Sequence, residues 1–303
     1  MRYLALILGL WLASDAVQAT EPPAPAKRPK LIVSPNVWGA ELRIIEVGRS
    51  DSRVVPTIAT RPIFPSWRDK ARQLVFASGV SGHVQIYAMD ALGGPAKNLT
   101  NSTANEDQPV CSPDGAKVLF TSNRDGNYDV YVMDSDGRNA VNLTRDPGFD
   151  SDAAWSPDGK QIAFASDRSG KGFHLMVMNA DGSDPQNLIE RNLGGMLYPS
   201  YSPDGQQIAF SGLVQKGLLR LYVANADGSG VQELTDGPGM SCYPAWSPDG
   251  RYLAYVHFAR HPDQCPEGGR VMLMDLEDGT TTEFSPQAPR VTASRIAWRP
   301  SDD

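Results

Sequence analysis

One pentapeptide, returning at near-constant intervals, does most to limit how this chain can fold. It stands as Cys111-Ser112-Pro113-Asp114-Gly115, Trp155-Ser156-Pro157-Asp158-Gly159, Tyr201-Ser202-Pro203-Asp204-Gly205 and Trp246-Ser247-Pro248-Asp249-Gly250. Successive serines lie 44, 46 and 45 residues apart. A period of this length marks a repeat architecture in which each unit is one supersecondary element. The turn has a physical reading: Pro presets φ at the second position of a type I turn, Asp tolerates the third, and Gly takes the positive φ that ends it. Alternating apolar runs flank it, as in Gln161-Ile162-Ala163-Phe164-Ala165-Ser166, so it joins the two strands of a hairpin.

Two further loops recur in each unit. One is Ser122 to Gly126 and Ser166 to Gly170; the other is Asp134 to Gly137, Asn179 to Gly182 and Asn225 to Gly228. Three hairpin loops per repeat imply four antiparallel strands, which is one blade of a β-propeller. A degenerate copy runs from Trp67 to Phe76, and Arg295 to Pro300 reads as a first strand with its Trp298. Its continuation lies at the other terminus, where Lys30 to Val33, Glu41 to Val47 and Arg53 to Ile58 read as second, third and fourth strands. The expected fold is therefore all-β: a six-bladed propeller of four-stranded blades. A C-terminal strand near 293–299 would pair with the N-terminal strands of 30–58 and close the ring, leaving no open sheet edge.

Ahead of the repeats, residues 1–19 carry an early Arg2, an apolar run from Tyr3 to Ala13 and the small-residue site Val17-Gln18-Ala19. That is expected to be a Sec-type signal peptide, too short to span a membrane, with an uncleaved N-terminal anchor as the alternative. Residues 20–29 form a Pro-rich tether, and 30–303 form the propeller. The mature chain would be periplasmic and, as a closed acidic propeller, a monomer. No later apolar run has spanning length, and a net charge of −7 with scattered basic residues argues against nucleic acid or anionic membrane as the main target.

There are three cysteines. Cys111 replaces the Trp of its repeat and reads as a buried free thiol. Cys242 at the start of one blade's first strand and Cys265 in its long loop fall on the same face. They are either a disulfide, which is the pairing expected in an oxidising compartment, or two separate thiols.

Enzymatic motifs are absent: no G-x-S-x-G elbow, H-E-x-x-H, P-loop or dinucleotide fingerprint occurs. His83, His174, His257 and His261 come from blades two, four and six and read as solvated histidines, with a metal cluster as the alternative. Asp134 to Gly137 resembles part of a calcium loop, but its Gly falls at the wrong position, and turn chemistry explains it. No metal or cofactor is expected.

What varies between the blades is more informative. Three residues before each Trp-equivalent stand Phe64, Gln108, Asp152, Tyr198, Tyr243 and Arg295, with Asp107 and Asp150 as neighbours. These are expected to ring the channel mouth and to bind a protein or peptide partner, since Tyr and Arg serve as anchors. The alternatives are a solvated rim, or Tyr198 and Tyr243 packing the strand entry beside Pro199 and Pro244.

The pattern W-S-P-D-G-K-x-I-A-F, S-x-R-x-G and V-M-x-x-D-G-S, best seen over Asp150 to Ala180, resembles the WD-like repeat of the TolB propeller family. The match extends in weaker form over Leu31 to Trp298. The resemblance implies a periplasmic six-bladed propeller that binds envelope proteins, as in the Tol–Pal system between the two membranes. It departs from that family in having only the short tether where TolB proteins carry an α/β domain. The leading expectation is an envelope interaction module without enzymatic activity. The alternative is a carbohydrate- or peptide-active enzyme, of the oligogalacturonate-lyase kind, built on the same scaffold.

Overall fold

The structure is a computed structural model describing residues 30–33, 41–46, 52–56, 62–68, 70–79, 82–189, 193–214, 217–261, 268–284 and 295–300. The expected signal peptide and tether lie outside these residues. Among the described residues twenty-four strands form six four-stranded antiparallel sheets, numbered here as blades 1 to 6. Blade 2 holds β4 (Ile63–Arg68), β5 (Gln73–Ser78), β6 (Gln85–Asp90) and β7 (Lys97–Asn98). Blade 3 holds β8 (Glu106–Cys111), β9 (Lys117–Ser122), β10 (Asp129–Asp134) and β11 (Val141–Asn142). Blade 4 holds β12 (Asp150–Trp155), β13 (Gln161–Ser166), β14 (His174–Asn179) and β15 (Gln186–Asn187). Blade 5 holds β16 (Met196–Tyr201), β17 (Gln207–Leu213), β18 (Leu219–Asn225) and β19 (Gln232–Glu233). Blade 6 holds β20 (Met240–Trp246), β21 (Tyr252–Phe258), β22 (Arg270–Asp275) and β23 (Thr281–Glu283).

Blade 1 is split between the chain ends. Its order is β24-β1-β2-β3, with β1 (Lys30–Val33), β2 (Leu42–Glu46), β3 (Ser52–Val55) and β24 (Ala297–Trp298). Leu31 pairs with Trp298 and Ile32 with Ala297, and the Arg299 amide donates to the Lys30 carbonyl at 2.7 Å. Closure is thus as the repeat arithmetic requires.

The pentapeptide builds the first hairpin of a blade. In all four copies the Gly amide donates to the Ser carbonyl at 2.9 Å, and the Ser hydroxyl bonds the Asp carboxylate two residues on. The second strand's phenylalanine (Phe76, Phe120, Phe164 or Phe210) is at most 1% exposed. The repeat tryptophans do more than fill space between blades. Each indole N–H donates to a carbonyl of the preceding blade: Trp67 to Ala297, Trp155 to Val110, Trp246 to Ser200 and Trp298 to Ala245, at 2.8–3.3 Å. These bonds satisfy the one polar atom a buried Trp carries and fix how far adjacent blades rotate. Cys111 and Tyr201 occupy the same place without an indole.

Two glycines of similar backbone conformation differ in what surrounds them. Gly159, in the first hairpin, has φ +70°, and an added Cβ would meet only Pro113 Cδ at 3.9 Å. Gly228, in the turn before β19, has φ +83°, and an added Cβ would stand 1.8 Å from the Leu188 carbonyl oxygen of the neighbouring blade. Gly159→Ala should therefore cost only the left-handed penalty, about 1–2 kcal/mol. Gly228→Ala should add an overpacking cost of about 1–3 kcal/mol. Urea denaturation of the two variants checks the ranking, and equal losses would contradict it.

Candidate functional site

The innermost strands β4, β8, β12, β16 and β20 share an irregularity. Pairing with the second strand slips between Ile63 and Ser66, Asp107 and Val110, Ser151 and Ala154, Leu197 and Ser200, and Cys242 and Ala245. At each slip two residues face one, which is a β-bulge. The first bulge residue is Phe64, Gln108, Asp152, Tyr198 or Tyr243, with φ between 50° and 58°. That conformation ordinarily falls to Gly or Asn, and for bulky side chains it is strained. In five blades the bulge takes Phe64, Gln108, Asp152, Tyr198 and Tyr243 out of the regular strand alternation. Backbone strain of this kind is characteristic of functional sites.

These are the positions that vary between repeats, but they are not loop residues. They are the second, third or fourth residues of their strands, and they meet between adjacent blades. The Gln108 amide donates to Asp152 Oδ1 at 2.7 Å, its Oε1 accepts the Asp152 backbone N–H at 2.9 Å, and Thr121 Oγ1 donates to the same Oε1. Arg295 reaches from blade 1 to blade 4, on the opposite side of the ring. Its Nη1 donates to the Ala153 carbonyl at 3.0 Å and its Nη2 lies 3.7 Å from Asp152 Oδ1. Tyr198 and Tyr243 pack as a tilted pair with ring centroids 4.2 Å apart and share a hydroxyl hydrogen bond. Phe64 packs against the cluster that these tyrosines join. Asp107 accepts the Gln108 amide N–H at 2.8 Å and feels both Asp152 and Arg295.

Asp150 is not part of this group. It is fully buried at the start of β12 and holds the Arg168 guanidinium at 3.1 Å. Glu106 does the same for Arg124 in blade 3, at 2.9 Å. Both arginines lie over phenylalanine rings, Phe164 and Phe120, so these pairs lock the loop after the second strand.

Tyr198, Tyr243 and Arg295 line a cavity of about 250 Å³ on the axis. All six blades line it, through Ser66, Val110, Trp155, Ser200, Ala245 and Ala297 among others. Every one of these stands C-terminal to its bulge residue, so the hollow lies on the side of the Ser-Pro-Asp-Gly turns and not on the strand-entry side. Pro65, Pro109, Pro199 and Pro244, each directly after a bulge residue, supply much of its wall. Tyr201 contributes a buried hydroxyl with no hydrogen-bond partner among the described residues. The cavity also reaches Cys111, which is half-buried and not buried as its repeat position implied; burial still raises its thiol to about 11. Cys242 is fully buried beside the Val256 carbonyl, and Cys265 lies outside the described residues, as does its pairing.

His174 opens β14 with both ring nitrogens buried, and His257 Nδ1 lies 3.1 Å from Ser241 Oγ in blade 6. Among the described residues no three His, Cys, Asp or Glu side chains converge as metal ligands.

Burial raises the Asp107 carboxyl to about 7, aided by Asp152, and raises Asp152 to about 6 against the opposing pull of Arg295. An acid whose folded pKa exceeds its unfolded value of about 3.9 binds more protons folded than unfolded between those limits, so stability falls as pH rises through them. The melting temperature should drop between pH 5 and pH 8. Asp107→Asn keeps the acceptor for Gln108 while removing the charge. It should flatten that drop and melt higher at pH 8, by about 2–4 °C per kcal/mol recovered. Thermal scans at both pH values test this; an unchanged slope in the variant would contradict it.

Comparison with known proteins agrees with the architecture. The model of the tricorn protease N-terminal β-propeller domain matches residues 73–169. No curated protein matches the sequence. TolB from Acinetobacter baumannii is similar in structure, with a TM-score of 0.75 and 22% identity over 90% of this chain and 67% of that one. A putative TolB from Agrobacterium tumefaciens gives 0.65 and 22%, over 85% and 88%. A puromycin-hydrolyzing peptidase from Mycobacterium tuberculosis gives 0.59 and 15%, over 86% of this chain and 45% of that one. At these identities the likeness is one of fold: the chain carries a TolB-like six-bladed propeller.

Proposed function

We propose that this TolB-like propeller is an exported, periplasmic interaction module of the cell envelope, and that it takes a segment of a partner protein into its axial cavity. The observation that carries this reading is the cavity, which only the closed ring forms. Its wall of prolines, Tyr198, Tyr201, Tyr243 and Trp155 over the Arg295 guanidinium has the composition of an interface centre, where aromatic residues and Arg anchor a partner. The strained bulges support it, because they hold large side chains on the axis at a conformational cost the sheets do not require. Residues 1–19 supply the argument for export. No helix among the described residues is long and apolar enough to cross a membrane. The resemblance to TolB propellers supports the envelope setting, while the peptidase, of which more than half has no counterpart here, shows that the fold alone does not decide.

Ser200→Trp tests the reading. The residue lines the cavity from β16, and its carbonyl, not its side chain, holds Trp246, so the substitution fills the hollow without removing a link between blades. Crosslinking from intact envelopes should recover a partner with the wild-type protein and lose most of it with the variant, at unchanged far-UV dichroism. Equal recovery with the two proteins would contradict the assignment.

A further inference from the structure

A second hollow, of about 620 Å³, runs outward between blades 3 and 4 and shares Pro113 and Trp155 with the axial cavity. Its floor is apolar: Val132, Leu143 and the Trp155 ring. Its rim carries Asp114, Asp158 and Asp181, one from each of three hairpin turns. We propose that this groove docks an extended, lysine- or arginine-bearing segment of a partner protein, with the aliphatic stem on the floor and the cationic head among the three carboxylates.

Val141 carries the argument for a partner. It is 44% exposed at the groove and pairs with Val132 across β10 and β11. The same place in the other full blades is polar: Lys97, Gln186, Gln232 and Thr282. The blade therefore does not need an apolar side chain there, and an exposed one beside an apolar floor marks a contact surface. Charge complementarity sets the chemistry of the occupant. Hydroxyl and backbone N–H bonds hold all three carboxyls below the usual range. Lys117, the one cation lining the groove, is turned onto Asp134 at 2.6 Å, and Lys160 lies 3.5 Å from Asp158. Asp114 and Asp181 have no cation within ion-pair distance among the described residues. Lysine and arginine combine an apolar stem with a charged tip and so match a floor and rim of this kind.

The experiment uses an acetylated, amidated peptide of three Pro-Lys repeats, which stays extended, and its Pro-Glu counterpart as control. Binding is measured by calorimetry, with Val141 methyl shifts as the local readout. The Pro-Lys peptide should bind and shift those methyls, and the Pro-Glu peptide should do neither. Val141→Gln restores the residue that blades 4 and 5 carry and leaves the charge untouched; it should weaken binding about fivefold or more. Asp181→Asn keeps the acceptor for Ser183, should also weaken binding and should reduce its salt dependence. No binding, equal binding of the Pro-Glu peptide, or undiminished binding by Val141→Gln would each overturn the proposal, the last by showing attraction to an acidic surface only. Ser200→Trp, which fills the axial cavity, should leave this binding intact, so the two sites fail or stand separately.

Discussion

Pairing of β24 with β1 is the constraint on which the molecule depends. Two residue pairs, one hydrogen bond from the Arg299 amide to the Lys30 carbonyl and the Trp298 indole on the Ala245 carbonyl join the chain's last strand to its first and to blade 6. The contact is small, yet every blade's packing presupposes it. A ring of six sheets has no free lateral face only when the sixth is complete, and the axial cavity exists only when all six inner strands surround it. The same strand delivers Arg295 across the axis to blade 4, so the element that closes the ring also spans it.

The division between shared and variable positions follows from that geometry. Residues that recur in each blade do the same local work: Ser and Asp of the turns cap their own hairpins, the second-strand phenylalanines fill blade cores, and the indoles tie blade to blade. Residues at the bulges have no such repeated task, because each faces a different set of neighbours across the axis. They form one polar pair with a cross-channel arginine and one tilted tyrosine pair. Burial of two carboxyls near one guanidinium makes this plug sensitive to pH in the range where ordinary aspartates are silent.

Sequence reading recovers what depends on local chemistry. Ser-Pro-Asp-Gly dictates a hairpin, the 44–46-residue period dictates a blade, and the orphan strand around Trp298 dictates closure. It also singles out Phe64, Gln108, Asp152, Tyr198, Tyr243 and Arg295. It could not place them, because a bulge is a slip between two strands and leaves no mark of its own in either. Proline after four of the six was the available signal. Asp150 looks like its neighbour Asp152 in sequence, and only the fold shows one beneath Arg168 and the other on the axis. The groove between blades 3 and 4 was equally hidden, since Val141 looks like an ordinary strand residue until its register partners are aligned.

Native-state hydrogen exchange at the Arg299 amide tests closure most directly, since that proton is held by the Lys30 carbonyl at the seam. If the ring is one cooperative unit, this amide exchanges with the same free energy as the amides of β13, through global unfolding. Exchange at a free energy several kcal/mol lower, with β13 still protected, would show that the seam opens alone and that the cavity is not a fixed feature of the molecule.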